Sequence, residues 1–274
     1  MVNQISGIAE DESLIISRIQ AKALKYQDST LRSEIIADTT PVPCFGDFRN
    51  AEIVSIGLNP SSNEFPTKKS NRRLIHLSDL DISPEYFQQG MGNMTENQAS
   101  KILEQCVKYF ELNSYKWFDT ASVALNIGFE ASYYRKVSSK ILACHTDIFP
   151  WATRAFSTLD SKLQRSFKEE NYEFLSWFLQ REKMKSLVIL GKSTWHEIQG
   201  IIKFEPISKK PANFEQAANF EYGSFEINGI SKPYFYSSKG PSSRGSDAEK
   251  LKIHELFGQF IKTSRNSHNF TEIN

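Results

Sequence analysis

The chain has 274 residues, of which 39% are hydrophobic and 24% charged, with a formal net charge of +1. This composition is typical of a soluble globular protein, and it excludes disordered, collagen-like and membrane-spanning classes. The length suffices for one large domain, so we expect a single domain over residues 1–274 that works as a monomer. The N-terminus lacks the basic and apolar regions of a signal peptide, which predicts a cytoplasmic location.

The first half of the chain alternates between helical and strand patterns. Residues 11–38 carry apolar side chains near helical spacing, which predicts one or two amphipathic helices. Glu52–Leu58 is a short apolar run between turn residues and predicts a buried strand. Residues 61–94 form a polar, basic segment without periodicity, which we interpret as a functional insertion. Thr95 and Gln98 make a capping box that predicts the start of a helix.

The second half of the chain continues this alternation. The predicted elements are a strand over 141–149, a helix over 163–179, a strand over 186–190, a helix over 194–201, a strand over 233–237 and a last helix capped by Ser246 and Glu249. Residues 203–224 look irregular. This order predicts an α/β fold, a three-layer α/β/α sandwich around a central, mostly parallel four-stranded sheet.

Three turn segments follow predicted strands, over residues 57–62, 147–153 and 237–244. In open parallel sheets, ligands bind beyond the carboxyl ends of the strands. These turns are therefore the candidate functional site.

Three motifs at strand ends occur in a fixed order: Gly57-Leu58-Asn59-Pro60-Ser61, then Leu190-Gly191-Lys192, then Lys239-Gly240-Pro241-Ser242-Ser243-Arg244. In order and spacing they resemble the motifs of the uracil-DNA glycosylase superfamily, in particular its mismatch-specific and single-strand-selective branches. The resemblance implies a monofunctional DNA glycosylase, which flips a base out of the duplex and hydrolyses its N-glycosidic bond, leaving an abasic site.

The resemblance assigns Asn59 to hold the attacking water through its side-chain amide. Because an amide is a poor base, catalysis would depend on positioning and on stabilisation of the departing base. Phe65 is a candidate for stacking on the flipped base. Four neighbours of Asn59 would form the base-binding segment: Gly57, Leu58, Pro60 and Ser61. The alternatives are an ordinary Asn-Pro turn and a core position for Phe65.

A further motif, Thr146-Asp147-Ile148-Phe149-Pro150, concerns the choice of base. Asp147 precedes Pro150 by three residues, where the single-strand-selective branch has an asparagine that reads uracil. A carboxylate only accepts hydrogen bonds, and its natural partner is the N4 amine of cytosine, although a protonated carboxyl could also donate to N3. Asp147 and Pro150 therefore predict a site for cytosine or a modified cytosine. A strand-end or capping aspartate is the alternative.

Removal of ordinary cytosine would destroy the genome of the host, so some feature must restrict the substrate. In its length, and in the need to spare ordinary cytosine, the chain resembles bacterial anti-phage glycosylases of the same superfamily, which excise glucosylated hydroxymethylcytosine from phage DNA. The polar segment over residues 63–94 would suit a sugar-bearing base. We therefore expect antiviral defence, with uracil or mismatch excision in base-excision repair as the alternative.

Basic and polar side chains on two turns predict contacts with the DNA backbone. The candidates are Lys68, Arg72, Lys239, Gly240, Pro241, Ser242, Ser243 and Arg244. The last motif contains no histidine, so either its backbone amides or Lys239 would stabilise the leaving base. Solvated surface is the alternative for all of these charges.

Two other classes of protein compete with the glycosylase. Gly191-Lys192-Ser193-Thr194 after an apolar strand is similar to the end of a P-loop, but that motif needs a glycine where this chain has Ser186. A catalytically inactive DNA-binding protein on the same scaffold is the second. Cysteines and histidines lack metal-ligand spacing, so we expect no metal and no other cofactor.

Overall fold

The computed structural model describes residues 12–20, 34–68, 71–83, 94–134, 140–153, 161–211 and 218–267. The chain divides into two compact units, each made of three stretches. The first unit comprises Met1–Arg49, Leu58–Leu112 and Thr146–Leu175, and the second comprises Asn50–Gly57, Asn113–His145 and Ser176–Asn274. The single domain expected over residues 1–274 stays a prediction.

A seven-stranded sheet belongs to the second unit, apart from the last two residues of β3, which belong to the first. Its strands are β1 Ile53–Gly57, β2 Ala131–Ser132, β3 Ile141–Asp147, β4 Ser186–Leu190, β5 Lys203–Pro211, β6 Asn219–Ile227 and β7 Ile230–Ser237. They are ordered β2-β3-β1-β4-β7-β6-β5. The pairs β2/β3, β1/β4 and β4/β7 are parallel, whereas β5/β6 and β6/β7 are antiparallel. The fold is α/β, as predicted, but the sheet is mixed.

The predicted four-stranded sheet is wrong, because β2, β5 and β6 extend it to seven strands. Residues 203–224, which were expected to be irregular, contain β5 and most of β6. Strand β5 carries Pro206 and Pro211, lies at the edge of the sheet and has an irregular register between Pro206 and Ser208. An edge strand tolerates proline because one side of its backbone needs no partner, but proline hides the strand pattern in a sequence.

Seven helices occur within the described residues: α1 over residues 12–20, α2 Glu96–Val107, α3 Tyr109–Leu112, α4 Lys116–Phe129, α5 Ser161–Gln180, α6 Lys192–Gln199 and α7 Asp247–Ser267. The predicted capping box is confirmed. Thr95 Oγ1 accepts from Gln98 N at 3.3 Å, and Gln98 Oε1 accepts from Thr95 N at 2.9 Å. Ser246 and Glu249 exchange the same two bonds at the start of α7.

The predicted N-terminal helices over residues 11–38 are confirmed only in α1. Residues 34–38 are not helical, because Ile35 forms an isolated antiparallel bridge with Thr153 and Asp38 has a φ of 64°. A positive φ is incompatible with a right-handed helix. Residues 21–33 of this prediction lie outside the described residues. Helix α4 was not predicted.

The strands β1 and β4 are buried along their whole length. This explains why both were predictable, since a strand covered on both faces appears in a sequence as a continuous apolar run. The prediction of a strand over 186–190 is confirmed with the same bounds. Within the described ranges, no helix has the length and apolarity needed to cross a membrane.

Helices α4 and α7 approach closely at two glycines within the second unit. A Cβ atom at Gly258 would lie 2.7 Å from Ile127 Cβ and 3.0 Å from the Ala124 carbonyl oxygen. A Cβ atom at Gly128 would lie 2.7 Å from Ile261 Cγ2. These distances are shorter than van der Waals contact, so only glycine allows the two helices to pack this closely.

The substitution Gly258→Ala is expected to lower the free energy of unfolding by about 1 to 2 kcal/mol. Overpacking typically costs ~1–3 kcal/mol, and contacts as short as 2.7 Å place this site in the upper part of that range, so the cost outweighs the gain in helix propensity, which is ~1 kcal/mol. Urea unfolding checks this, with Gly200→Ala as the matched control. Gly200 has a φ of −76° and its added Cβ would meet only an atom 3.5 Å away. Equal stability of the two variants would contradict the prediction.

Candidate active site

The side chain of Asn59, two residues after β1, is held by two hydrogen bonds. Its Nδ2 donates to the Pro60 carbonyl oxygen at 3.0 Å and to Thr153 Oγ1 at 3.2 Å. Both amide hydrogens are therefore engaged, and Oδ1 is left as an acceptor on a half-buried side chain. An oriented amide oxygen of this kind can accept a hydrogen bond from a water molecule.

The residues that follow β1, 58–65, are called the Asn59 segment, and residues 147–153, at the end of β3 and after it, are called the Asp147 segment. These two segments are joined by hydrogen bonds. Phe149 N donates to the Leu58 carbonyl oxygen at 3.0 Å, and the bond between Asn59 and Thr153 makes a second connection. All of these residues belong to the first unit. Two of the three predicted turn segments are thus brought together there.

Asp147 is the last residue of β3 and is only 5% exposed. The residues after it are anchored to other parts of the first unit. Asn171 Nδ2 donates to the Ile148 carbonyl oxygen at 2.6 Å, and Val42 N donates to the Pro150 carbonyl oxygen at 2.7 Å. Pro150 is buried. The carboxylate of Asp147 therefore sits on an ordered segment, away from bulk solvent.

A second buried carboxyl, Glu64, lies in the Asn59 segment and was not predicted. Ser61 caps a short 3-10 helix, Ser62–Glu64, by accepting from the backbone N–H of Asn63. This turn places Glu64 in the interior, where it is 1% exposed and Tyr109 Oη donates to its Oε2 at 2.5 Å. The only signal for this in the sequence was that Glu64 stands next to the apolar Phe65, three residues after the motif that ends at Ser61.

Burial raises the pKa of the Glu64 carboxyl from 4.5 to about 7. The hydrogen bond from Tyr109 and the positive charge of Arg73 lower this pKa, and the negative charge of Asp147 raises it further. Because burial dominates, Glu64 carries a proton at mildly acidic pH and loses it near neutrality. Glu64 and Asp147 are thus two buried carboxyls of the first unit whose charges interact, and the carboxyl of Glu64 titrates near neutral pH.

Because the pKa of Glu64 is raised in the folded protein, the free energy of unfolding should depend on pH. A raised folded-state pKa contributes stability that is complete below pH 4.5 and is lost as the pH rises through about 7. From about pH 4.5 to about pH 8, the variant Glu64→Gln should therefore gain about 3 kcal/mol relative to the wild type. Urea unfolding at both pH values measures this, and Glu182→Gln, at an exposed glutamate, is the control. Parallel pH dependence of Glu64→Gln and the wild type would overturn the prediction.

Phe65 lies in the packed interior of the first unit. It is 5% exposed, and its ring meets the ring of His76 edge-on, with 5.5 Å between centroids. Stacking on a flipped base would require its neighbours to move, and this role stays a prediction.

Arg72 is engaged with carboxylates. Its Nη1 lies 2.6 Å from Asp79 Oδ1 and its Nη2 lies 3.8 Å from Asp38 Oδ2, and His76 Nδ1 also contacts Asp38 Oδ2 at 3.1 Å. Two negative charges thus neutralise Arg72, so we expect it to bind phosphate more weakly than the exposed Lys68. Residues 69–70 and 84–93 of the polar segment lie outside the described residues.

The third predicted turn segment follows β7 and belongs to the second unit. Gly240 N donates to Ser243 Oγ at 3.0 Å, and Ser243 N donates to the Gly240 carbonyl oxygen at 2.9 Å. A Cβ atom at Gly240 would lie 3.1 Å from the Leu190 carbonyl oxygen, so the turn packs tightly against the end of β4. The side chains of this turn comprise exposed Ser242 and Arg244, half-buried Lys239 and Ser243, and buried Pro241.

The P-loop alternative does not fit this structure. A P-loop needs a glycine-rich loop in front of its final glycine and lysine. Here Ser186–Leu190 form the buried strand β4, and Gly191 is the N-cap of helix α6, which begins at Lys192. The backbone in front of Lys192 is therefore not arranged to surround a phosphate group.

A Ser–His contact in the second unit resembles a hydrolytic pair. Ser55 Oγ lies 2.7 Å from His145 Nδ1 and 2.6 Å from Tyr133 Oη. Ser55 is the central residue of the buried strand β1 and therefore lies away from the strand ends, where ligands bind in sheets of this kind. This network pairs buried polar groups within the core.

Cys44, Cys106 and Cys144 are all buried. Among the residues that the structure describes, no group of three His, Cys, Asp or Glu side chains could hold a metal ion. Comparison of the chain with protein-family models and with curated proteins finds no match.

Proposed function

We propose that the chain is a monofunctional DNA glycosylase, which flips a base out of DNA and hydrolyses its N-glycosidic bond. The main support is the junction within the first unit, where the 3.0 Å bond from Phe149 N to the Leu58 carbonyl oxygen joins the Asn59 and Asp147 segments. A water-orienting amide and a base-reading carboxylate could then act on the same nucleotide. The product is an abasic site.

In this proposal Asn59 positions the nucleophile. The sugar becomes oxocarbenium-like as the glycosidic bond breaks, and water must reach C1′ at that moment. Because Nδ2 is held by Pro60 and Thr153, Oδ1 keeps one orientation and accepts a hydrogen from the water. An amide cannot remove a proton efficiently, so the rate depends on positioning and on the leaving base.

Asp147 selects the base. Its carboxylate accepts from the N4 amine of a cytosine-type base, whereas uracil would present a carbonyl oxygen at that position. We propose glucosylated hydroxymethylcytosine in phage DNA as the target, with antiviral defence as the function, because removal of unmodified cytosine would harm the host. The polar segment over residues 63–94 would contact the sugar.

Binding to double-stranded DNA would use the exposed basic and polar side chains. We assign phosphate contacts to Lys68 and to the turn over residues 239–244, in which Arg244 is exposed. The enzyme would work as a cytoplasmic monomer without a cofactor.

The test uses the purified chain and duplexes that carry a single uracil, cytosine or glucosylated hydroxymethylcytosine. Alkali cleaves abasic sites, so strand breakage reports excision. We expect breakage only in the duplex with the modified cytosine. Breakage confined to uracil would instead indicate base-excision repair, and binding without breakage in any duplex would indicate an inactive DNA-binding module.

A further inference from the structure

The carboxyl of Glu64 has no assigned part in the proposed function, although it lies five residues after Asn59 in the same segment. Tyr109 Oη donates to Oε2 at 2.5 Å, and Oε1 accepts no hydrogen bond from any residue that the structure describes. The side chain is 1% exposed, and Asp147 is close enough for the two charges to interact. One carboxyl oxygen of Glu64 thus has no hydrogen-bond donor among the described residues, and the charge of the base-reading aspartate acts on the same carboxyl.

Excision of a cytosine-type base requires a proton donor, and a protonated carboxyl can supply that proton. It is a poor leaving group as an anion, but protonation of its N3 atom lets it depart as a neutral molecule. The edge of cytosine presents an N4 donor next to the N3 acceptor. An ionised carboxylate beside a protonated carboxyl matches that edge, since one accepts and the other donates.

We propose that Glu64 is the general acid of the reaction, a catalytic residue that protonates N3 of the departing base while Asp147 accepts from N4. This proposal rests on the glycosylase function proposed above. As the C1′–N1 bond breaks, its electron pair leaves with the base and the carboxyl proton of Glu64 moves to N3. The water held by Asn59 adds its oxygen to C1′ and releases one proton, which restores the acid.

The surroundings of Glu64 suit this role. Burial keeps the carboxyl protonated up to about pH 7, and Tyr109, Arg73 and Asp147 are the groups that adjust this value. An acid whose pKa lies near the working pH transfers protons most effectively.

The experiment measures single-turnover excision in a duplex with one glucosylated hydroxymethylcytosine, as a function of pH. The wild-type rate should fall as the pH rises through about 7, because the acid form of Glu64 disappears. This fall of the rate with rising pH is the alkaline limb of the profile. Glu64→Gln should be slower by about 10²-fold or more at about pH 6, and its rate should show no alkaline limb. Glu104→Gln, an exposed glutamate, should behave like the wild type.

Tyr109→Phe is the second variant, and it retains the carboxyl if Glu64→Gln does not fold. The hydrogen bond from Tyr109 lowers the pKa of Glu64, so its loss should move the alkaline limb to higher pH. A structural role would change thermal stability without moving that midpoint.

The outcomes separate the two proposals. An active wild type whose pH profile is shared by Glu64→Gln or by Tyr109→Phe would overturn the role of Glu64 and leave the glycosylase intact. A wild type that makes no abasic sites in any duplex would overturn both.

Discussion

Asn59→Ala is expected to lower the rate of abasic-site formation by about 10²–10³-fold, while DNA affinity at fixed salt stays within about twofold. The amide oxygen of Asn59 positions the water at C1′, and alanine leaves the water without an oriented partner. Single-turnover rates on a duplex with the modified cytosine, together with equilibrium binding, measure the two effects separately. A structural turn would instead lose stability and binding together.

Two control variants define how specific this loss is. Asn97→Ala removes an exposed amide from helix α2, outside the segment assigned to the sugar, and should leave the rate within about twofold of the wild type. Thr153→Val removes one of the two acceptors that hold Asn59 Nδ2 and should cost about 5- to 10-fold, the equivalent of one hydrogen bond. A wild-type rate for Asn59→Ala would overturn the role of Asn59 in positioning the water and would leave the glycosylase activity itself intact.

Asp147→Asn is expected to shift the preference for the base from modified cytosine toward uracil by about 10²-fold or more. A carboxylate accepts from the N4 amine of cytosine, whereas an amide can accept from N3–H and donate to O4 of uracil. The measurement is the ratio of single-turnover rates on the two duplexes. Loss of the negative charge should also lower the pKa of Glu64 and move the alkaline limb to lower pH.

Glu182→Gln is the control for this substitution, because it also replaces a carboxylate by an amide. Glu182 is exposed and lies outside all the segments assigned to the substrate or to DNA. It should leave both rates unchanged. If Asp147→Asn slows excision of both bases equally, Asp147 does not read the base, and a strand-end structural role becomes the better interpretation.

Elements with a local signature were predictable from the sequence. The capping pairs Thr95/Gln98 and Ser246/Glu249 appear in the structure as expected, because a capping box is formed by residues three positions apart. The strands β1 and β4 were visible as apolar runs. In contrast, the prolines of β5 suggested an irregular segment, and only pairing with β6 makes that segment a strand.

The candidate site was only partly predictable. The turn after β1 and Asp147 were identified from motifs, and the junction of their segments is consistent with the expectation that turns at strand ends meet. Arg72 was expected to contact DNA, yet its charge is neutralised by Asp79 and Asp38. Asp38 lies 34 positions away in the sequence, so spacing along the chain gave no indication of this pair.

The sequence by itself determined the α/β class, the capped helices and the position of the Asn59 turn, since each follows from neighbouring residues. Only the tertiary structure decided which carboxyls are buried together. Glu64 acquires its raised pKa from desolvation and from Tyr109, Arg73 and Asp147, of which Tyr109 is 45 positions away. Desolvation depends on every group that excludes water from a side chain, and those groups come together only when the chain folds.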